Sequence, residues 1–390
     1  MNRDFGQRLS SRLAGLHEQG LHRTCRTVDS LPRGHCRIEG QTLVNFGGND
    51  YLSLAHEVGS SENVQLAWKH QVGATASAVV SGRSHWHEQL EHRLAEFEDT
   101  DSALLFPTGF AANLGVLNCL IESSDAVFCD RDNHASIVDA ARSCKGQLCV
   151  YRKDRLDSLE ESIMRRRDRF EQIFIVTDGV FSMDGSLAAL TDLCQIAGRN
   201  ECQVIVDEAH GTGVLGDEGR GACDFSNVED RVLLRVGTMS KALGGIGGFV
   251  AGDQQTIDWL RNTARTQFFS TALPPAICAA MLESLRVVKE EPQRRHRLAE
   301  LTALAHRQID KLGLKTVAGG VAPIIPIVIG DSERAVAISR QLQNAGWFVP
   351  AIRPPTVAQD TARLRLSLCS SHTDLQLNDV ILAVANLLEA

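Results

Sequence analysis

The stretch Gly237-Thr238-Met239-Ser240-Lys241-Ala242-Leu243-Gly244-Gly245 places one lysine among small residues, directly after the apolar run Val232-Leu233-Leu234-Arg235-Val236. Upstream, the apolar strand pattern Gln203-Val204-Ile205-Val206 ends on Asp207, with His210 three residues later. A lysine that forms an imine and an acid that keeps a pyridine nitrogen protonated are what pyridoxal phosphate (PLP) chemistry requires. Most lysines are solvated surface groups, but the flanking Ala, Gly and Ser make that placement less natural for Lys241.

From about Gly48, short apolar runs alternate with helical patterns, with strands expected at 103–106, 126–129, 173–177, 204–206, 232–236 and 249–251. That alternation argues for an α/β chain whose large, mostly parallel sheet is covered on both faces. Ahead of it, residues 1–47 read as a helix (Phe5 to Gln19) and a hairpin turning at Glu39-Gly40-Gln41. Residues 48–285 read as the large domain. A helical stretch from Pro275 to Leu312, interrupted at Pro292, leads into a small α+β C-terminal domain over 286–390.

Ligands of open α/β sheets collect beyond the carboxyl ends of the strands. Four polar clusters fall at such ends: Thr108-Gly109-Phe110, Asp130 to His134, Asp178 to Ser182, and Asp207 to His210. Thr108-Gly109-Phe110 opens a helix, where free N–H groups bind phosphate, although a simple N-cap by Thr108 explains the same residues. His134 is placed to stack on a cofactor ring, and His210 with Ser182 to meet its phenolic oxygen; a strand-end histidine is otherwise commonly structural.

Several motifs do not carry their usual meaning. Asp207-Glu208-Ala209-His210 spells the DEAH box of helicases, yet no GxxxxGK[ST] phosphate loop exists in the chain. Gly211-Thr212-Gly213-Val214-Leu215-Gly216 matches GxGxxG, but Gly219 and Gly221 follow where a helix should run. His87-Glu88 is followed by His92, one residue too far for a zinc-binding HExxH. Metal, helicase and dehydrogenase readings fall away.

The net charge of -8 disfavours a nucleic-acid surface. Eleven cysteines without CxxC spacing, no secretory segment and no membrane-length apolar run give the expectation of a reduced, cytoplasmic chain.

With these residues in view, the chain resembles the α-oxoamine synthases, PLP enzymes of fold type I that condense an amino acid with an acyl thioester. The resemblance runs from about Leu21 to the C-terminus and rests on VDEAHGTGVLG (206–216), GTMSKALGG (237–245) and FFSTALPPA (268–276). Within the family, IRPPTVAQDTARLRLSL (352–368) is most similar to the biotin-pathway member joining L-alanine to a pimeloyl thioester, carried by CoA or a carrier protein. The resemblance implies that Lys241 is the Schiff-base lysine and proton shuttle, Asp207 the partner of the pyridine nitrogen, and His134 the stacking residue. It implies Thr108, Gly109, Phe110 and Thr238 for the phosphate, with Thr271 from the second subunit of a homodimer. Arg365 is implied as the carboxylate clamp, and Arg23 and Asn49 as substrate-side positions. Family members commonly carry an arginine where this chain has Ala78, with Arg83 five residues on. That departure concerns acyl-donor recognition. Sister enzymes using glycine or serine, and a PLP-binding protein without turnover, are the rival readings.

Overall fold

The structure, a computed structural model, describes residues 4–19, 21–22, 25–317 and 320–389. An N-terminal helix, Phe5–Glu18, is capped by the Asp4 carboxylate and buries none of its residues. Strands β1 (Asp29–Leu31), β2 (His35–Ile38) and β3 (Gln41–Asn45) then form the antiparallel meander whose second turn is at Glu39-Gly40.

The large sheet holds β4 (Ser102–Phe106), β5 (Ala126–Asp130), β6 (Gln147–Tyr151), β7 (Ile173–Asp178), β8 (Gln203–Asp207), β9 (Leu234–Thr238) and β10 (Gly248–Gly252). Their order is β4-β10-β9-β8-β7-β5-β6, and only β10 runs antiparallel to its neighbours. Every residue of β5, β7, β9 and β10 is buried, which is why these strands read as continuous apolar runs. Strand β6 was not expected from the sequence. It is an edge strand whose exposure alternates, and the polar Gln147 shortens its apolar run. Gly237 faces the Phe249 ring across the β9–β10 ladder; a Cβ at Gly237 would lie 2.2 Å from that ring, so only glycine fits.

The expected break at Pro292 separates the helices Pro275–Glu290 and Gln293–Lys311. Beyond them come β11 (Ile324–Gly330), β12 (Trp347–Phe348), β13 (Ala351–Ile352) and β14 (Ala362–Ser367), with the helices Ser332–Asn344 and Asp374–Glu389. Strands β11, β14 and β13 form an antiparallel sheet, while β12 pairs in parallel with β3. The N-terminal meander therefore shares a sheet with the C-terminal segment. Along β14, Leu364 and Leu366 enter the core, and period-2 alternation sends Arg363, Arg365 and Ser367 to the opposite face. No helix among the described residues is long and apolar enough to cross a membrane.

Candidate active site

The carboxyl ends of β5, β7 and β8 bring Asp130, Asp178 and Asp207 to one rim of the sheet, with Asp178 directly opposite Asp207 in the β7–β8 register. Asp207 is buried, and its two oxygens are occupied separately. Oδ1 accepts the Ala209 N–H at 2.8 Å, and Oδ2 accepts the Asn113 amide at 2.6 Å. Asp178 accepts the His134 backbone N–H at 2.7 Å. Burial, and then the Asp207 charge, push the Asp178 carboxyl well above the usual range.

Lys241 follows β9 and retains partial exposure. Burial lowers its amine from 10.5 to about 8, against the pull of Asp207 and Asp178. The turn after it depends on Gly244 at φ +71°, where a Cβ would meet the Ala55 backbone nitrogen at 2.5 Å. A free amine near neutrality is a nucleophile. Uptake of PLP by the cofactor-free protein should therefore accelerate as pH rises through about 8 and level off above it. Stopped-flow absorbance measures this, and a rise only near the ordinary 10.5 would contradict it.

His210 is buried, and its Nδ1 lies 2.7 Å from the Tyr51 hydroxyl. Burial, followed by the Lys241 and Arg365 charges, drives its imidazole well below 6.5, so it is neutral. The same burial lifts the Tyr51 phenol to about 12. Arg365 is buried on β14; its Nε donates to the Ser182 carbonyl at 2.8 Å and its Nη1 to Ser367 Oγ at 2.6 Å. Both terminal nitrogens lie 3.4 Å from Asn49 Oδ1. This guanidinium meets neutral acceptors there, leaving its charge available to an anionic ligand.

At the other end of the site, Thr108 caps the helix Gly109–Leu120 by accepting the Ala111 N–H at 3.1 Å. Gly109 packs on Thr238, where a Cβ would come within 3.2 Å of the threonine Cβ. Thr238 Oγ1 is fixed by the Gly247 carbonyl at 2.9 Å and Ser240 Oγ at 2.8 Å. The Gly109 and Phe110 N–H groups open the first turn, an arrangement that can accept an anion.

Not every expected residue joins the cluster. Thr271 is exposed and forms an antiparallel bridge with Ser77, beside a cavity lined by Ala78, Arg83 and Pro107. Arg83 donates to Glu91 at 2.8 Å and lies 3.7 Å from Glu88, so its charge is balanced within its own chain. Arg23 lies outside the described residues. The sequence reading missed Asn113, Ser136, Tyr51 and, as a member of the carboxylate pair, Asp178. Asn113 lies four residues past Gly109 and Tyr51 two past Asn49, but nothing local marked their partners.

These residues suit one kind of ligand. The helix N-terminus fits a phosphate, the partly open amine fits an aldehyde, and the buried Asp207, beside an Asp178 held toward its neutral form, suits a protonated ring nitrogen. Such a site, at the strand ends of a mostly parallel sheet, defines the PLP-dependent transferases of fold type I.

Comparison with known proteins agrees. Residues 41–384 match the family described as aminotransferase class I and II. The chain is 40% identical over 366 residues to 8-amino-7-oxononanoate synthase 2 of Bacillus subtilis (strain 168), covering 94% of this chain and 93% of that one. A serine palmitoyltransferase variant from S. paucimobilis with bound PLP and myriocin superposes with a TM-score of 0.90 at 26% identity, over 99% of this chain and 98% of that one. The 8-amino-7-oxononanoate synthase of Francisella tularensis gives a TM-score of 0.76 at 29% identity, over 88% and 97% of the two chains. The chain belongs to the aminotransferase class I and II family. It is a PLP-dependent acyltransferase resembling the 8-amino-7-oxononanoate synthases, and its cofactor is PLP.

Proposed function

We propose that the enzyme condenses L-alanine with a pimeloyl thioester, on CoA or a carrier protein, giving 8-amino-7-oxononanoate, CO2 and free thiol in biotin synthesis. The observation carrying this reading is the 40% identity to a synthase of that name over nearly the whole chain. The Lys241–Asp207–His210–Arg365 constellation supports it with the required chemistry. Bound PLP supplies an aldehyde for the amino group and a ring that accepts the electron pair left when the α-proton departs.

The remaining steps fall to the protein. Thr108, Gly109, Phe110 and Thr238 hold the phosphate at the helix N-terminus. Asp207 keeps a proton on the ring nitrogen, His134 stacks on the ring, and His210 with Ser182 faces the phenolic oxygen. Arg365 and Asn49 orient the alanine carboxylate, a task suited to a planar guanidinium. Lys241 would take the α-proton and later return one; an amine near pKa 8 does both at neutral pH.

Thr271 completes the phosphate cup from a second copy of the chain. Its exposure, and the exposed apolar Val79, Val80 and Phe269, support an interface between copies there. A sister reaction using serine is favoured by the serine palmitoyltransferase likeness alone. Thiol release from pimeloyl-CoA, with L-alanine, glycine and L-serine in parallel, separates the readings. Release with alanine is expected; release with serine or glycine only moves the enzyme to the sister reaction.

A further inference from the structure

Five residues form a hydrogen-bonded chain from Asp207 to Asp178 at the proposed ring site. The Asn113 amide nitrogen lies 2.6 Å from Asp207 Oδ2 and 2.9 Å from Ser136 Oγ. Ser136 Oγ lies 2.8 Å from His134 Nδ1, and the Ser136 backbone N–H points at the same nitrogen at 3.3 Å. The His134 backbone N–H returns to Asp178 Oδ2, and Asp178 sits opposite Asp207 in the sheet.

The proton directions along this chain follow from two donors, the Asn113 amide and the Ser136 backbone N–H. Asn113 faces Asp207 Oδ2 with its NH2 group, which has two hydrogens to give. One goes to Asp207 and the other to Ser136 Oγ. The Ser136 backbone N–H already makes His134 Nδ1 an acceptor, so the serine hydroxyl, itself an acceptor toward Asn113, donates its single hydrogen to that nitrogen. Two donors then converge on Nδ1, which must be bare, and the imidazole proton resides on Nε2. Asn113 is itself buried, one helical turn beyond Gly109 on the same face of the helix Gly109–Leu120. That helix therefore serves the phosphate cup with its N-terminus and the ring acid with its next turn.

We propose that Asn113 is a positioning residue that fixes two groups at once: it aims the Asp207 carboxylate, and through Ser136 it holds His134 as the Nε2–H tautomer. The stacking histidine thus presents a donor, and never a lone pair, from its outer nitrogen. This rests on the reading of His134 and Asp207 as cofactor-facing groups, but the tautomer itself does not require cofactor.

The experiment is a ¹⁵N-histidine spectrum of the full-length, PLP-free protein, with the His134 signals assigned by their loss in His134→Gln. Wild type should show the Nε2–H form. Ser136→Ala should mix the tautomers, and Ser136→Thr, which keeps the hydroxyl, should restore the single form. In the PLP-loaded enzyme, Ser136→Ala should lower kcat about tenfold with the KM for the amino acid unchanged, the size expected for one hydrogen bond to a working group. Asn113→Asp, which sets a like charge against Asp207, should weaken PLP binding about 10–100-fold. A wild-type Nδ1–H signal, or a His134 spectrum indifferent to Ser136→Ala, overturns the proposal and leaves the cofactor reading standing. Failure of wild type to bind PLP sinks the cofactor reading instead, while the tautomer is still read.

Discussion

Lys241→Ala is expected to lower turnover by about 10²–10⁴-fold from loss of the proton-transfer group alone, and by more because the covalent hold on the cofactor goes with it. Among the groups whose charges reach the site, Lys241 is the amine that Asp207 and Asp178 act on, and it is the one burial has brought down to about 8. Partial exposure leaves its Nζ reachable by ligand. The variant should still fold, because Lys241 is only half-buried and Asp178 is held toward its neutral form, which limits the charge left behind. Turnover and the visible cofactor band check this together. An added small primary amine should restore a fraction of the rate. More than about a tenth of the wild-type rate in Lys241→Ala would place the chemistry elsewhere, since that loss corresponds to under about 1.4 kcal/mol.

Asp207→Ala is expected to lower turnover about 10²–10³-fold or more. The variant leaves the Asn113 amide without its acceptor and strands whatever charge Asp207 balanced, an effect of roughly 3–5 kcal/mol for a buried partner. Asp178 does not replace it. Its Oδ2 is committed to the His134 backbone N–H, and burial beside another carboxylate holds it toward the protonated form. Asp207→Asn, which preserves shape, should fall nearly as far, because an amide cannot keep a ring nitrogen protonated. Steady-state kinetics of both variants test this, and near-normal turnover in either removes Asp207 from the mechanism.

Much of the scaffold was legible because of where its strands lie. Strands β5, β7 and β8 are buried on both faces and show as unbroken apolar runs, each ending on an aspartate. Strand β6 escaped because an edge strand alternates, and β12 because two residues carry no pattern. The rejected GxGxxG proved to be a loop with positive φ at Gly213, Gly216, Gly219 and Gly221. It wraps the buried Glu208 carboxylate, which accepts the Ala222 and Cys223 N–H groups. Here glycine serves close approach of backbone to an acid, since a Cβ at Gly221 would lie 2.3 Å from Glu208 Oε2.

The site was legible in part. Lys241, Asp207 and His210 stood out because strand ends and small neighbours gave each a local reason. Arg365 and Asn49 were reached only through the family resemblance, since 316 positions separate them in sequence. The Asn113–Asp207 link spans 94 positions and depends on how one helix packs over the sheet. No periodicity reports such a contact. What local sequence encodes is which residues reach a strand end or a first helical turn; which of them then meet is decided by sheet order.

The most direct test of the central claim is borohydride reduction of the PLP-loaded, full-length protein followed by peptide mass mapping. A reduced pyridoxyl group is expected on Lys241, in the peptide containing Gly237 to Gly245, with its loss when L-alanine is added before reduction. A label confined to other lysines, or a Lys241 label that alanine does not displace, would contradict the site as built.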